Sequence, residues 1–278
     1  KKLTLCADDY AISPAVSRGI RELIQAKRIS ATSAMTFSNC WPEDGKLLKE
    51  LINNIKEKSN HRDISIGLHI TLTDFKPLTE MPQFTANGIM PNIGKLIKNS
   101  FLKVLPLEEI EAEIRAQIEK FKDVFGTLPA HIDGHQHAHI IPGIHDIILK
   151  LYAEYYPKKT AHIRSCTNSF ANILKQKNSI KKAIIINQLG KKLAKKLKQH
   201  SIPSNKYFSG IYDFNLKSKN YSDIFKNFFR TKNNDNVLIM CHPGYVDEAL
   251  IKADIVTYQR EHELRFFMSK EFLEIMNL

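Results

Sequence analysis

Lys2-Leu3-Thr4-Leu5-Cys6-Ala7-Asp8-Asp9-Tyr10-Ala11-Ile12-Ser13-Pro14 carries the reading of the fold. Lys2 to Ala7 reads as a short buried strand. Two carboxylates follow at its end, and Ser13 and Pro14 supply the N-cap and first-turn proline of a helix running to about Ala26. A strand that delivers acidic residues into a turn and then a helix is the repeating unit of a parallel α/β fold.

The unit recurs along the chain. Ser30 to Phe37 and Ile64 to Leu72 are strand-like, with a helix expected from Trp41 to Lys58 between them. From Phe75 to Pro106, prolines, the Asn87-Gly88 turn signal and weak periodicity predict a long loop lying over something. Ile110, Ile114, Ile118, Phe121 and Phe125 then follow helical spacing, and Gly126 is placed to end that helix. Pro129 to Gly134 predicts a strand, Gly143 to Tyr156 a helix, Ala161 to Cys166 a short strand and Asn236 to Cys241 a buried one. A last helical region spans about Thr257 to Met276. This alternation predicts an α/β chain with mostly parallel strands, open or closed into a barrel.

A length of 278 residues suits one large domain, and 1–278 is read as such, with a basic helical insertion at about 168–201. That insertion pairs an apolar stripe with the lysines of Lys181-Lys182 and Lys191 to Lys198. It is either a surface helix packed on the sheet or an interfacial helix docking on anionic lipid.

Composition narrows the function. Hydrophobic residues make up 43% and charged residues 25%, with no apolar run long enough to cross a bilayer. The formal charge of +12 is spread over dispersed lysines without zinc-finger or RNP-like motifs, so nucleic-acid binding is not expected. The four cysteines, Cys6, Cys40, Cys166 and Cys241, lack metal or redox spacing and read as buried thiols. Acidic residues come too soon after Lys1 for a secretory apolar core, so the expected location is cytoplasmic. Neither a phosphate-cradling glycine loop nor a G-x-S-x-G elbow occurs, which argues against nucleotide and serine-hydrolase chemistry.

Four polar clusters fall at the C-terminal ends of expected strands, where the loops of parallel α/β folds converge. They are Asp8-Asp9, His69, the run Ala130-His131-Ile132-Asp133-Gly134-His135-Gln136-His137-Ala138-His139, and His242. Five ionisable groups within nine residues of that run are costly to bury without a cation. His131, Asp133 and His135 alternate, so an extended chain puts them on one face, a ligand beside its orienting carboxylate. One or two of these histidines suffice as ligands. His137 and His139 are candidates for substrate contacts or loop hydrogen bonds. Asp8-Asp9 could be a helix cap, but a metal-dependent hydrolase needs two acids, one on the cation and one taking a proton from water. His69 by itself is as readily a core residue as a ligand. His242, held before Pro243-Gly244, suits a general acid.

Taken together, Ala7-Asp8-Asp9-Tyr10, Gly67-Leu68-His69, His131 to His139 and Cys241-His242-Pro243-Gly244 resemble the YdjC-like carbohydrate deacetylase family, which includes chitooligosaccharide deacetylases and hopanoid-biosynthesis-associated members. The resemblance implies a distorted (β/α) barrel of the glycoside hydrolase/deacetylase type. It implies one divalent cation, zinc or magnesium with manganese or cobalt as alternatives, on Asp9, His69 and His135. Asp8 would be the base and His242 the acid. Further contacts to a small carbohydrate are expected from Tyr10, His137, His139, Arg164 and Tyr245, with Trp41, Phe75 and Tyr212 as added sugar platforms. A homo-oligomer, as a dimer, is expected, with peripheral contact to an anionic membrane as an alternative. Other readings are a lipid-linked glycan substrate for the same site, a metal-dependent phosphoesterase, and a non-catalytic carbohydrate-binding protein on the same scaffold.

Overall fold

A computed structural model describes residues 3–57, 64–215, 220–230 and 236–277. Lys2, Lys58 and His61 lie outside them. β1 (Leu3–Tyr10) leads to α1 (Pro14–Gln25), β2 (Ala31–Ala34) to α2 (Trp41–Glu57), and β3 (Ser65–Ile70) to α3 (Ile93–Phe101) and α4 (Leu107–Phe125). β4 (His131–Gly134) passes through a 3-10 segment (His135–Ile140) to α5 (Ile144–Tyr155), and β5 (His162–Ile163) leads to α6 (Phe170–Gln176) and α7 (Ile180–Gln199). β6 (Tyr207–Ser209) precedes α8 (Tyr221–Phe229). β7 (Val237–Cys241) precedes α9 (Glu248–Ala253), α10 (Tyr258–Met268) and α11 (Lys270–Met276).

The local signals act as their chemistry dictates. Ser13 is extended, and its side chain accepts the Val16 N–H at the start of α1, while Gly126 ends α4 in the left-handed region at φ 85°. α1 buries Val16, Ile20, Leu23 and Ile24, each worth ~1.5–3 kcal/mol relative to exposure.

The seven strands form one parallel sheet in the order β5-β4-β3-β2-β1-β7-β6, curled into a distorted α/β barrel. Its edges meet at a seam where a side chain stands in for a strand. Asn205 Nδ2 donates to the Ser165 carbonyl and its Oδ1 accepts the Ser165 N–H, both at 2.8 Å. Phe208 N–H donates to Thr167 O across the same gap.

Alternation along the strands sorts residues sharply. Leu5 faces outward onto Ile24, Ile29 and Leu51. Cys6, Asp8, Ser33, His69, His131, Asp133 and Arg164 meet one another inside the barrel. The apolar core therefore lies between sheet and helices, and the middle of the barrel is polar.

Several elements differ from expectation. The loop expected over Phe75 to Pro106 contains α3, whose N-cap Asn92 accepts from Lys95 N–H. The 168–201 helix is broken between α6 and α7, where Lys177 and Ser179 have positive φ. α7 buries Ala183, Ile186, Leu193 and Leu197, while Ile185 on the same helix stays exposed. β6, α8 and α9 carry no strong sequence signal. The last helix divides at Ser269, which is extended and caps α11 by accepting from Phe272 N–H.

Candidate active site

The site begins with a defect in β1. Successive residues of a regular strand point to opposite faces, so Asp8 and Asp9 could not both face inward. The β1–β2 register shifts between Ala7 and Tyr10, and Asp9 sits at φ 64°, an uncommon conformation for a non-glycine residue. This bulge turns both carboxylates toward one cavity.

Asp9 meets two imidazoles from two other strands. Its Oδ1 lies 3.2 Å from His69 Nε2 and 3.1 Å from His135 Nδ1, and the three donor atoms fall within 4.8 Å of one another. His69 comes from the end of β3, and its Nδ1 is bonded to Asp133 Oδ1 at 2.7 Å. That contact leaves Nε2 aimed at the cluster, the usual arrangement of a metal-ligating histidine. Burial alone would lower the His69 pKa, but Asp133, Asp9 and Asp8 outweigh it and push it up to about 10. The pocket therefore favours a positive charge. One carboxylate and two imidazoles around an accessible point form a donor set that fits a divalent cation. Two other clusters, Cys6-His131-Asp133 and Asp8-His69-Asp133, are already occupied by cationic Arg164, which ion-pairs both Asp8 and Asp133.

The remaining charges are held in place by two buried arginines. Arg164 donates to both Asp8 oxygens at 2.6 Å. Arg260 Nη2 donates to Asp9 Oδ2 at 2.7 Å and Asp254 Oδ2 at 2.6 Å. Asp9 is drawn toward a raised pKa by burial, yet Arg260 and His135 hold it well below the carboxylate range. It thus keeps one charged oxygen free for the cluster. His242, on the other side of the cavity, is pushed down to about 4 by burial, against the pull of Asp9 and Asp8. Its Nδ1 is buried without a protein partner.

His131, Asp133 and His135 do share the barrel interior, but they divide the work. His131 lies deeper, bonded to Ser65 Oγ at 2.9 Å, and lines the opening at the opposite end of the barrel. Its ring fills the space that a Cβ on Gly67 would occupy, 2.2 Å from Nε2.

Among the residues expected on substrate, His137 lines the cavity. His139 does not: it is fully buried with Nε2 3.2 Å from the Arg164 carbonyl. Arg164 is committed to Asp8 and Asp133. Tyr10 is sealed under α2, donating to Asp44 O at 2.7 Å, and Tyr245 bonds Glu22 on the outer surface at 2.6 Å. Trp41 stacks on Phe121, Phe75 packs tilted against Phe37 at 4.6 Å and against the His135 ring at 5.8 Å, and Tyr212 turns to Glu263. Phe214, Lys182 and Asp213 line the cavity without having been expected there, and neither Arg260 nor Glu263 carried a signal, since charged residues in a helix read as solvated. The cavity, of about 600 Å³, is otherwise walled by aliphatic residues including Ile93, Ile97, Ile186, Leu189 and Val256.

A family described as YdjC-like protein matches residues 2–277. A carbohydrate deacetylase of Clostridium beijerinckii is 26% identical over 99% of this chain and 95% of its own length. Chitooligosaccharide deacetylases of Salmonella typhimurium and Proteus mirabilis are 32% and 33% identical, over 55% and 58% of this chain and 56% and 58% of theirs. A crystal structure from Enterococcus faecalis, described as a candidate cellobiose-phosphate cleavage protein, superposes with a TM-score of 0.71 at 23% identity, covering 100% of this chain and 94% of that one. That likeness concerns the fold.

Proposed function

Since the chain belongs to the YdjC-like protein family, we propose that it is a metal-dependent deacetylase that hydrolyses the acetamide of an N-acetylated sugar. The observation that carries the reading is the convergence of Asp9, His69 and His135 from three strands onto one point of the cavity, beside a separately held Asp8. The curated relatives named as sugar deacetylases support the substrate class.

A divalent cation held by those three residues would supply Lewis acidity, lowering the pKa of water and polarising the amide carbonyl. The two nitrogen donors favour zinc or cobalt over magnesium and manganese, harder ions that prefer oxygen. Asp8 accepts the proton of the attacking water, and Arg164 holds it in line for that task while leaving lone pairs free. Arg260 keeps Asp9 charged. His242 faces the departing nitrogen. It is neutral at rest, so it takes a proton from the solvent in the cavity as negative charge develops on the substrate beside it, and passes that proton to the amine, while Asp8 returns the water proton to solvent after the acetate leaves.

The test compares bound metal and acetate release from N-acetylglucosamine oligomers for Asp8→Asn, Asp9→Asn, His69→Ala and His135→Ala. The last three should lose the metal. Asp8→Asn should keep it and lose roughly 10²- to 10⁴-fold in rate. Loss of metal in Asp8→Asn with retention in Asp9→Asn would reverse the assignment of the two acids.

The aliphatic wall favours a second reading for the same chemistry, a sugar carried on a lipid. Ile255 is 94% and Ile185 59% exposed at the cavity mouth, next to the lysines of α7. Co-sedimentation with anionic vesicles at low and high salt, and acetate release from alkyl-linked N-acetylglucosamine, separate the two readings. No binding at low salt and no preference for the alkyl substrate would remove the second.

A further inference from the structure

The turn His242-Pro243-Gly244 has only two backbone N–H groups, because proline has none. Both are taken by α10. His242 N–H donates to Glu263 Oε2 at 2.6 Å, and Gly244 N–H donates to the Arg260 carbonyl at 3.1 Å. Arg260 and Glu263 stand three residues apart, hence on one face of the helix, and both are fully buried. On its other side the turn presses against α1, where a Cβ on Gly244 would come within 2.9 Å of Val16. The same face of α10 also reaches the metal cluster through the Arg260 contact with Asp9. One helix therefore fixes the His242 backbone relative to a metal-ligating carboxylate.

Glu263 bears on His242 by a second route. Its Oε1 accepts the Tyr212 hydroxyl at 2.5 Å. The Tyr212 ring packs on Phe214 with centroids 4.5 Å apart, and Phe214 meets the His242 imidazole edge-on at 5.2 Å. Burial pushes the Glu263 carboxyl up to about 7, against the bonds from Tyr212 and the His242 N–H. A carboxyl sealed from water is costly to keep, and this one reaches neither the cation cluster nor the cavity. Tyr221 bonds it as well, so what it holds is the His242 backbone together with the Tyr212–Tyr221 pair that backs Phe214 and the imidazole.

Resting on the reading of His242 as the acid, we propose that Glu263 is a positioning residue for the deacetylation, holding the His242 turn and, through Tyr212 and Phe214, the imidazole in line with the departing nitrogen. A residue with this role acts on kcat and leaves metal content and KM nearly unchanged.

The experiment uses the full metal-loaded chain, with N-acetylglucosamine oligomers as probe, and measures kcat, KM and bound metal for E263D, E263Q, E263M, Y212F, H242A and H242A/E263D. E263D withdraws the carboxylate by one methylene and should lower kcat by about 10- to 100-fold, as loss of a supporting partner commonly does. E263Q can still accept the His242 N–H and donate to Tyr212, so it should recover most of that loss where E263M does not. H242A/E263D should be no slower than H242A. Y212F keeps the carboxylate while breaking the second route, and should lower kcat at constant KM even if E263D fails to fold. Wild-type kcat in folded E263D or Y212F, loss of metal in E263D, or equal damage in E263Q and E263M would each overturn the proposal. If H242A itself keeps full kcat, the reading of His242 as the acid fails and takes this role with it. A slow H242A beside a normal E263D sinks the positioning role alone.

Discussion

Arg164 grips Asp8 with both ends of its guanidinium, Nη1 to Oδ2 and Nη2 to Oδ1, each at 2.6 Å. The two residues are 156 positions apart in the chain, and the same arginine pairs with Asp133 at 2.5 Å. Arg164→Lys keeps a charge but loses the fork, so activity should fall about 10- to 100-fold while metal is retained. Arg164→Met leaves the buried Asp8 without its cationic partner and Asp133 with His69 alone, and should cost roughly 3–5 kcal/mol of stability. Acetate-release rates and urea midpoints check both, and a Lys variant at full rate would contradict the first.

Asp133 Oδ1 sits 2.7 Å from His69 Nδ1, so with a cation on Nε2 it would hold the ring with its proton on Nδ1. Asp133→Asn removes the charge and should weaken metal binding by about 10- to 100-fold. Competition against a chromogenic chelator reads this directly. An unchanged affinity would mean that the His69 ring is held by Ser33 and Asp9 alone.

Gly67 leaves room for the His131 ring. Gly67→Ala forces a Cβ to within 2.2 Å of it, an overpacking expected to cost about 1–3 kcal/mol. The same substitution in a His131→Ala background should cost much less, measured by urea unfolding. Equal costs in the two backgrounds would refute the steric account.

His131 also ties stability to pH. Burial, the largest influence, holds its folded pKa down at about 4, whereas the unfolded chain takes up the proton near ~6.5. Below that value the unfolded state binds more protons, so stability present at neutral pH is lost as pH falls toward 4. The His131 share is about 3 kcal/mol. His131→Asn should flatten the pH dependence of the unfolding midpoint between pH 6.5 and 4, and an unaltered slope would count against it.

The strands that build the barrel were legible where they were apolar and ended in a chemical signal. β1, β3, β4 and β7 were read from Lys2 to Ala7, Ile64 to Leu72, Pro129 to Gly134 and Asn236 to Cys241. β2 and β5 likewise fall inside the runs Ser30 to Phe37 and Ala161 to Cys166, whereas β6 is three residues long and is set by its pairing with β7, so the local sequence holds little of it. The positions of Asp8, Asp9, His69, His135 and His242 around one cavity agree with the convergence expected at the strand ends. What could not be read was which charges face one another. Arg260 and Glu263 lie on an unremarkable polar helix, and only its contacts with α1 and with the His242-Pro243-Gly244 turn show that their side chains point inward. Trp41 and Tyr10 show the converse, since each is large enough to serve either a core or a platform, and both went to the core.

The polar interior gives the barrel an inside-out division of labour. Cohesion comes from the jacket of helices against the outer face of the strands, and the ionised groups lie in the space that most small barrels fill with branched hydrocarbon. Substitutions in the lumen can therefore redirect chemistry without dismantling the jacket, provided that every charge introduced arrives with its counter-charge. At the centre of this barrel a lone charge change strands its partner, so its chemistry can be altered pair by pair rather than residue by residue.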